Sequence, residues 1–191
     1  MPARRLPFAA AEQGFSDISA FDKWTGMLAR LDRERGMPRE WRQSFALMKS
    51  IPLRQQAEIV NRQVNAHKYI TDAQNWGVSD YWETPAEFYA RGGGDCEGFA
   101  IAKYGWLRAL GVPEERLRLT VVYDLLRRAP HTLLEVRTDT GSLMLDNQSA
   151  EIRPLPGLTR YQPIFSIDRR AWYPQAIARR LLVMPLRPSG G

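Results

Sequence analysis

Apolar residues recur at helical spacing through the first half of the chain. Phe21, Trp24, Leu28 and Leu31 share one helical face, and Leu53, Ala57, Val60, Val64 and His67 share another. Between them Pro38 suits a first helical position, with Trp41, Phe45 and Met48 on the helix it opens. A stretch rich in turn residues, Thr71 to Glu83, reads as a loop. Thr84-Pro85-Ala86-Glu87 then predicts a sharp helix start: a Thr N-cap, a Pro in the first turn and a Glu that closes a capping box. Gly92-Gly93-Gly94 stops that helix. A second helix, from about Asp95 to Leu110, carries Ala100, Ile101, Tyr104 and Leu107, and Gly111 and Pro113 end it.

The pattern changes in the second half. Leu117 to Leu126, His131 to Thr138, Leu143 to Asn147 and Pro163 to Asp168 read as strands, with Thr140-Gly141 as a hairpin turn. Helices first and strands afterwards predict an α+β fold with an antiparallel sheet. With 191 residues, 44% of them hydrophobic, the chain suffices for one core, so the expectation is a single domain over residues 1–191. Residues 1–15 and 187–191 are expected to be flexible.

Composition narrows the chemistry. The net charge of +6 comes mostly from arginine spread along the chain, which reads as a solvated surface and not as a nucleic-acid stripe. No apolar run reaches the ~20 residues of a membrane span. Arg4 and Arg5 followed by Leu6 to Ala11 resemble a signal peptide whose apolar part is too short. One cysteine and two histidines exclude an intrachain disulfide and a zinc finger.

That single cysteine, Cys96, lies in Gly92-Gly93-Gly94-Asp95-Cys96-Glu97, at the predicted start of a helix. Unpaired N–H groups and the helix dipole there favour a thiolate and can hold an oxyanion. The plainer alternative is a small buried cysteine on a helix face. A nucleophile needs a base, and only His67 and His131 are available. His67 falls on an apolar helical stripe and reads as a hydrogen-bonded core residue. His131 opens a strand after a turn-like stretch, so it is expected near the surface, facing a cleft. Asp146 ends the strand one hairpin later, within reach of His131, where it can orient the imidazole. An Asp-Asn pair that merely starts a turn is the alternative for Asp146. Taken together, the order Cys, His, Asp is that of a nucleophile, its base and an orienting acid.

Three runs carry a more specific signal: Asp80-Tyr81-Trp82-Glu83-Thr84-Pro85-Ala86-Glu87, Gly92 to Glu97, and Ala100-Ile101-Ala102-Lys103-Tyr104, with Leu145-Asp146-Asn147 further on. They resemble the bacterial transglutaminase-like cysteine peptidases of the LapG type, over roughly residues 21–172. The resemblance implies a papain-like fold, a triad of Cys96, His131 and Asp146, and a periplasmic location. It also implies cleavage of large surface adhesins, hence biofilm control, and sequestration by a membrane-bound cyclic-di-GMP receptor of the LapD type. Trp82 becomes a candidate oxyanion donor. Asp95 and Glu97 match the acidic residues through which that type binds calcium, but Gly98 stands where a further Asp is usual, which weakens the calcium site. No cofactor is needed for the chemistry itself. Acyl transfer or deamidation on the same triad, and a non-catalytic binding module of the same fold, are the competing functions.

Overall fold

The computed structural model describes residues 14–34, 42–154 and 159–175, with the side chains of 42–44 outside that description. The first helix, α1, is Asp22–Leu31, and its apolar stripe buries Trp24, Met27 and Leu28. The second, α2, is Arg42–Met48; Pro38 and Trp41, expected to open and line it, lie outside the described residues. Helix α3, Leu53–Asn65, buries Ala57, Val60 and Val64. It ends two residues before His67, which is half-buried and sits edge-on to Phe88 and Tyr89 with ring centroids 5.4 and 4.9 Å away. His67 is therefore an aromatic packing residue beyond the helix, not a member of its stripe.

The expected loop after it contains a short strand β1, Lys68–Tyr69, and one helical turn α4, Asp72–Asn75, closed by a capping box from Thr71 and Gln74. Helix α5, Pro85–Arg91, starts as the sequence predicts: Thr84 Oγ accepts from the Glu87 N–H, and the Glu87 carboxylate accepts from the Thr84 N–H at 2.7 Å. Gly92 ends it in the left-handed conformation, φ 79°. Strand β2, Gly93–Gly94, pairs in parallel with β1. A Cβ on Gly93 would lie 1.9 Å from the Lys68 carbonyl oxygen, so this backbone approach requires glycine.

Helix α6, Cys96–Ala109, follows with Asp95 as its N-cap. Every residue from Gly98 to Leu107 is buried, because α3 and α5 cover α6 on its outer sides and the sheet covers its inner one. That sheet has five strands in the order β5-β4-β3-β6-β7: β3 Leu117–Asp124, β4 Ala129–Thr138, β5 Gly141–Leu145, β6 Tyr161–Ile167 and β7 Trp172–Pro174. All four neighbouring pairs are antiparallel. One core joins α1, α3 and α6 to Leu117, Leu119, Leu134, Val136, Leu145 and Ile167 of the sheet. Phe15, placed by the sequence in a flexible start, exchanges both backbone hydrogen bonds with Trp172 and stacks on its ring. Residues 1–13 and 187–191, the rest of the expected flexible ends, lie outside the described residues.

Candidate active site

Each candidate residue is placed by an element boundary. Cys96 is the first residue of α6, fixed there by the Asp95 cap, whose Oδ1 accepts from the Gly98 N–H at 3.2 Å. His131 is the third residue of β4, opposite Val122 of β3. Asp146 follows the last residue of β5, which pairs with Leu134. Continuing that register sets Asp146 diagonally across from His131. The side chains meet: His131 Nε2 and Asp146 Oδ1 are 2.9 Å apart, and both residues are buried. The expectation of a near-surface His131 is thus corrected. The strand begins two residues earlier, at Ala129, and the Tyr161 ring covers the imidazole at 5.5 Å.

Asp146 is held from three further directions. Tyr161 donates its hydroxyl to Oδ2 at 2.6 Å, the Gln148 N–H donates to Oδ1 at 2.9 Å, and Asn65 of α3 donates to its backbone carbonyl at 2.8 Å. Burial opposes ionisation of this carboxyl, but the His131, Tyr161 and Gln148 donors outweigh it and hold the group below the usual carboxylate range. The other imidazole nitrogen, Nδ1, lies 3.4 Å from the Gln148 side-chain amide nitrogen.

Cys96 reaches β4 through the residue after His131: the Thr132 backbone N–H points at its sulfur, and the Thr132 hydroxyl donates to Glu97 Oε1 at 2.8 Å. The thiol itself donates to Glu97 Oε2 at 2.9 Å. The structure therefore joins His131 to Asp146 and sets Cys96 against Thr132, the next residue along β4, with its thiol on Glu97 and not on the imidazole. Burial first, then the charge and hydrogen bond of Glu97, then Asp95, push the thiol strongly up. The helix start expected to favour thiolate is outweighed here. A helix N-terminus contributes only about 0.3–1 kcal/mol, less than burial and two adjacent carboxylates take away.

Asp95 and Glu97 belong to an acidic cluster whose further member, Asp72, the sequence spacing did not reveal. Asp72 of α4 accepts from the Tyr81 N–H at 2.6 Å and hydrogen-bonds Asp95. Burial and the charges of Glu97 and Asp72 push Asp95 up to about 8. The cluster's donor chemistry, all carboxylate oxygen with excess negative charge, fits a hard divalent cation. Among the described residues no three such side chains converge as ligands of one ion, and Glu97 is turned to Cys96 and Thr132 instead.

Glu83 explains Gly98. Its side chain is 1% exposed, with Oε2 accepting from the Trp76 indole at 2.9 Å. Oε1 would lie 2.1 Å from a Cβ on Gly98 and 1.6 Å from one on Gly94. A carboxyl donated by the preceding loop thus fills the space where a side chain at 98 would begin, and burial pushes it up to about 7. Trp82, the oxyanion candidate, packs edge-on to Trp24 at 6.2 Å, and its carbonyl accepts from Arg30 at 2.5 Å.

The family model for bacterial transglutaminase-like cysteine proteinases matches residues 35–168. The chain belongs to that family. Calcium-bound LapG of Legionella pneumophila is 31% identical and superposes with a TM-score of 0.65 over 78% of this chain and 86% of that one. Its EGTA-treated form gives 30% identity and the same TM-score, over 81% and 86%. A Cytophaga hutchinsonii chain, 17% identical with a TM-score of 0.50 over 66% of this chain and 40% of that one, shares the fold alone. None of the curated proteins matches. The α+β architecture, with the Cys-bearing helix on an antiparallel sheet, is the transglutaminase-like fold, and the protein is a cysteine peptidase acting on protein substrates. Among the described residues no helix is long and apolar enough to cross a membrane.

Proposed function

We propose that this peptidase is an endopeptidase working through Cys96, His131 and Asp146. The observation that carries the reading is the buried 2.9 Å contact of His131 with an Asp146 carboxylate held by Tyr161 and Gln148, one residue along β4 from the backbone N–H that meets Cys96. Asp146 fixes the imidazole through Nε2, which leaves Nδ1 to take the thiol proton. The thiol turns from Glu97 to Nδ1 and loses its proton there. The thiolate attacks the scissile carbonyl carbon, and the N–H groups of the first turn of α6 receive the oxyanion, with the Trp82 indole as a further donor. His131 returns the proton to the leaving amine as the C–N bond breaks. Water, deprotonated by His131, then cleaves the thioester and releases the acid.

Asp95 and Glu97 are the residues that would hold a calcium ion, which would supply positive charge against the carboxylates that hold the thiol protonated. Likeness to LapG supports a large bacterial surface adhesin as substrate, a role in biofilm control, a periplasmic site of action and capture by a LapD-type cyclic-di-GMP receptor. The test is mass spectrometry of an adhesin fragment after incubation with the wild type and with Cys96→Ala, His131→Ala and Asp146→Asn. Cleavage lost in all three supports the triad. Cleavage by Cys96→Ala refutes it, and an isopeptide cross-link in place of two fragments identifies acyl transfer.

A further inference from the structure

The short strand β1 has an open edge beside the segment that delivers the nucleophile. Its partner β2 runs straight into α6, and Tyr69 pairs with Gly94, two residues before Cys96. A parallel ladder uses alternate residues of a strand. The Lys68 N–H donates to the Gly92 carbonyl at 3.4 Å, and the Ile70 N–H to the Gly94 carbonyl at 2.9 Å. The N–H and C=O of Tyr69, between them, therefore face away from β2. Neither is hydrogen-bonded among the described residues, and Tyr69 is 58% exposed. The outer edge of β2 is closed instead. Both of its glycines are buried, and the Gly93 carbonyl accepts from the Asn75 side chain at 3.1 Å.

An unpaired edge is a template for a further strand. We propose that Tyr69 is the substrate-docking edge of this peptidase: one residue of an extended substrate exchanges both backbone hydrogen bonds with it, as an added antiparallel strand, and the scissile bond follows a few residues along, at Cys96. The occupant is the substrate and not a second copy of the chain. The edge leads into the nucleophile, and a two-residue strand is too short to hold two folded chains together. Such an edge reads main chain and tolerates many side chains. The substrate is then an extended linker segment and not the surface of a folded domain. Proline is excluded at the residue opposite Tyr69, because it has no N–H to donate.

The inference rests on Cys96 as the nucleophile. Its test uses the full chain with calcium added and peptides from a digested bacterial proteome, with the cleavage sites read by mass spectrometry. Besides the two residues at the scissile bond, one nearby position should lack proline in all cleaved peptides. Tyr69→Pro removes the free N–H and keeps the β1–β2 ladder, since that N–H makes no bond to β2. It should lower kcat/KM for a cleaved peptide at least ~10-fold, mainly through KM. Tyr69→Val keeps the N–H and should lose less than ~3-fold. Equal losses in the two variants, a loss in kcat with KM unchanged, or wild-type values in Tyr69→Pro overturn the inference. So does a wild-type dimer that Tyr69→Pro turns into a monomer, because a second copy then holds the edge. No cleaved peptide at all with wild type overturns it too, since an edge that reads main chain needs no folded partner. If Tyr69→Pro does not fold, a cleaved peptide N-methylated at each residue in turn decides: sensitivity at one position away from the scissile bond supports the inference, and none overturns it. Cleavage by Cys96→Ala would sink the nucleophile instead, so the two failures are distinguishable.

Discussion

Gly98→Ala sets helix propensity against packing. Gly98 is the third residue of α6, and alanine there gains about 1 kcal/mol of helix propensity. Its methyl would meet Glu83 at 2.1 Å from Oε1, 3.0 Å from Cδ and 3.3 Å from Cγ. The whole end of a buried side chain must then shift. Overpacking of this kind costs about 1–3 kcal/mol. A carboxylate moved off the Trp76 indole also gives up a charge-assisted hydrogen bond of about 1.5–3 kcal/mol. Packing wins by about 1.5–5 kcal/mol, roughly 3–20 °C in Tm for a chain of this size. In a Glu83→Ala background the clash is gone, so the same substitution turns stabilising by about 1 kcal/mol. Thermal melts of the two single variants and the double variant measure this directly. A Gly98→Ala protein more stable than wild type, or the same effect in both backgrounds, would refute the claim that Glu83 dictates the glycine.

Three further outcomes follow from the site. Glu83 is raised from 4.5 to about 7, so the folded state binds more protons than the unfolded one between those values, and stability falls as pH rises through that window. Glu83→Gln removes this contribution, at most about 3 kcal/mol; urea titrations at pH 5 and 7.5 should show a smaller difference than in wild type. Asp95→Asn keeps an N-cap, since Asn caps as well as Asp, but removes a carboxylate. Its melting temperature should hold while calorimetric calcium binding weakens at least ~10-fold; unchanged binding would exclude Asp95 as a ligand. Tyr161→Phe deletes the 2.6 Å bond to Asp146, and kcat/KM should fall about tenfold with little change in KM.

The parts of this molecule legible in its sequence are those written in local chemistry. Thr84, Pro85 and Glu87 announce α5, Asp95 and the following apolar residues announce α6, and period-two runs announce β3 to β6. The His131–Asp146 contact was legible because one hairpin separates the two residues. Strands β1 and β2 have two residues each, one pair being Gly-Gly, and β7 has three, too short for any period to show. Glu83 and Lys103 escaped for another reason. A Glu before a capped helix and a Lys inside one read as surface residues, since such side chains are seldom fully buried. Only tertiary packing puts one against two glycines and buries the other on α6.

The misjudged state of Cys96 is the most instructive case, because its cause was visible. Asp95-Cys96-Glu97 places a carboxylate on each side of the thiol. A carboxylate accepting the thiol's hydrogen bond is worth about 1.5–3 kcal/mol, against 0.3–1 kcal/mol for the helix N-terminus that favours thiolate. The local sum disfavours the nucleophile even before burial is counted, and burial is the largest cause of the shift. On the proposed mechanism a reactive Cys96 therefore requires the Glu97 charge to be neutralised and the thiol to leave Glu97 for His131. In the proposed mechanism whatever binds Asp95 and Glu97 frees the thiol, and an acidic pair that first reads as a metal motif is in physical terms a restraint on Cys96.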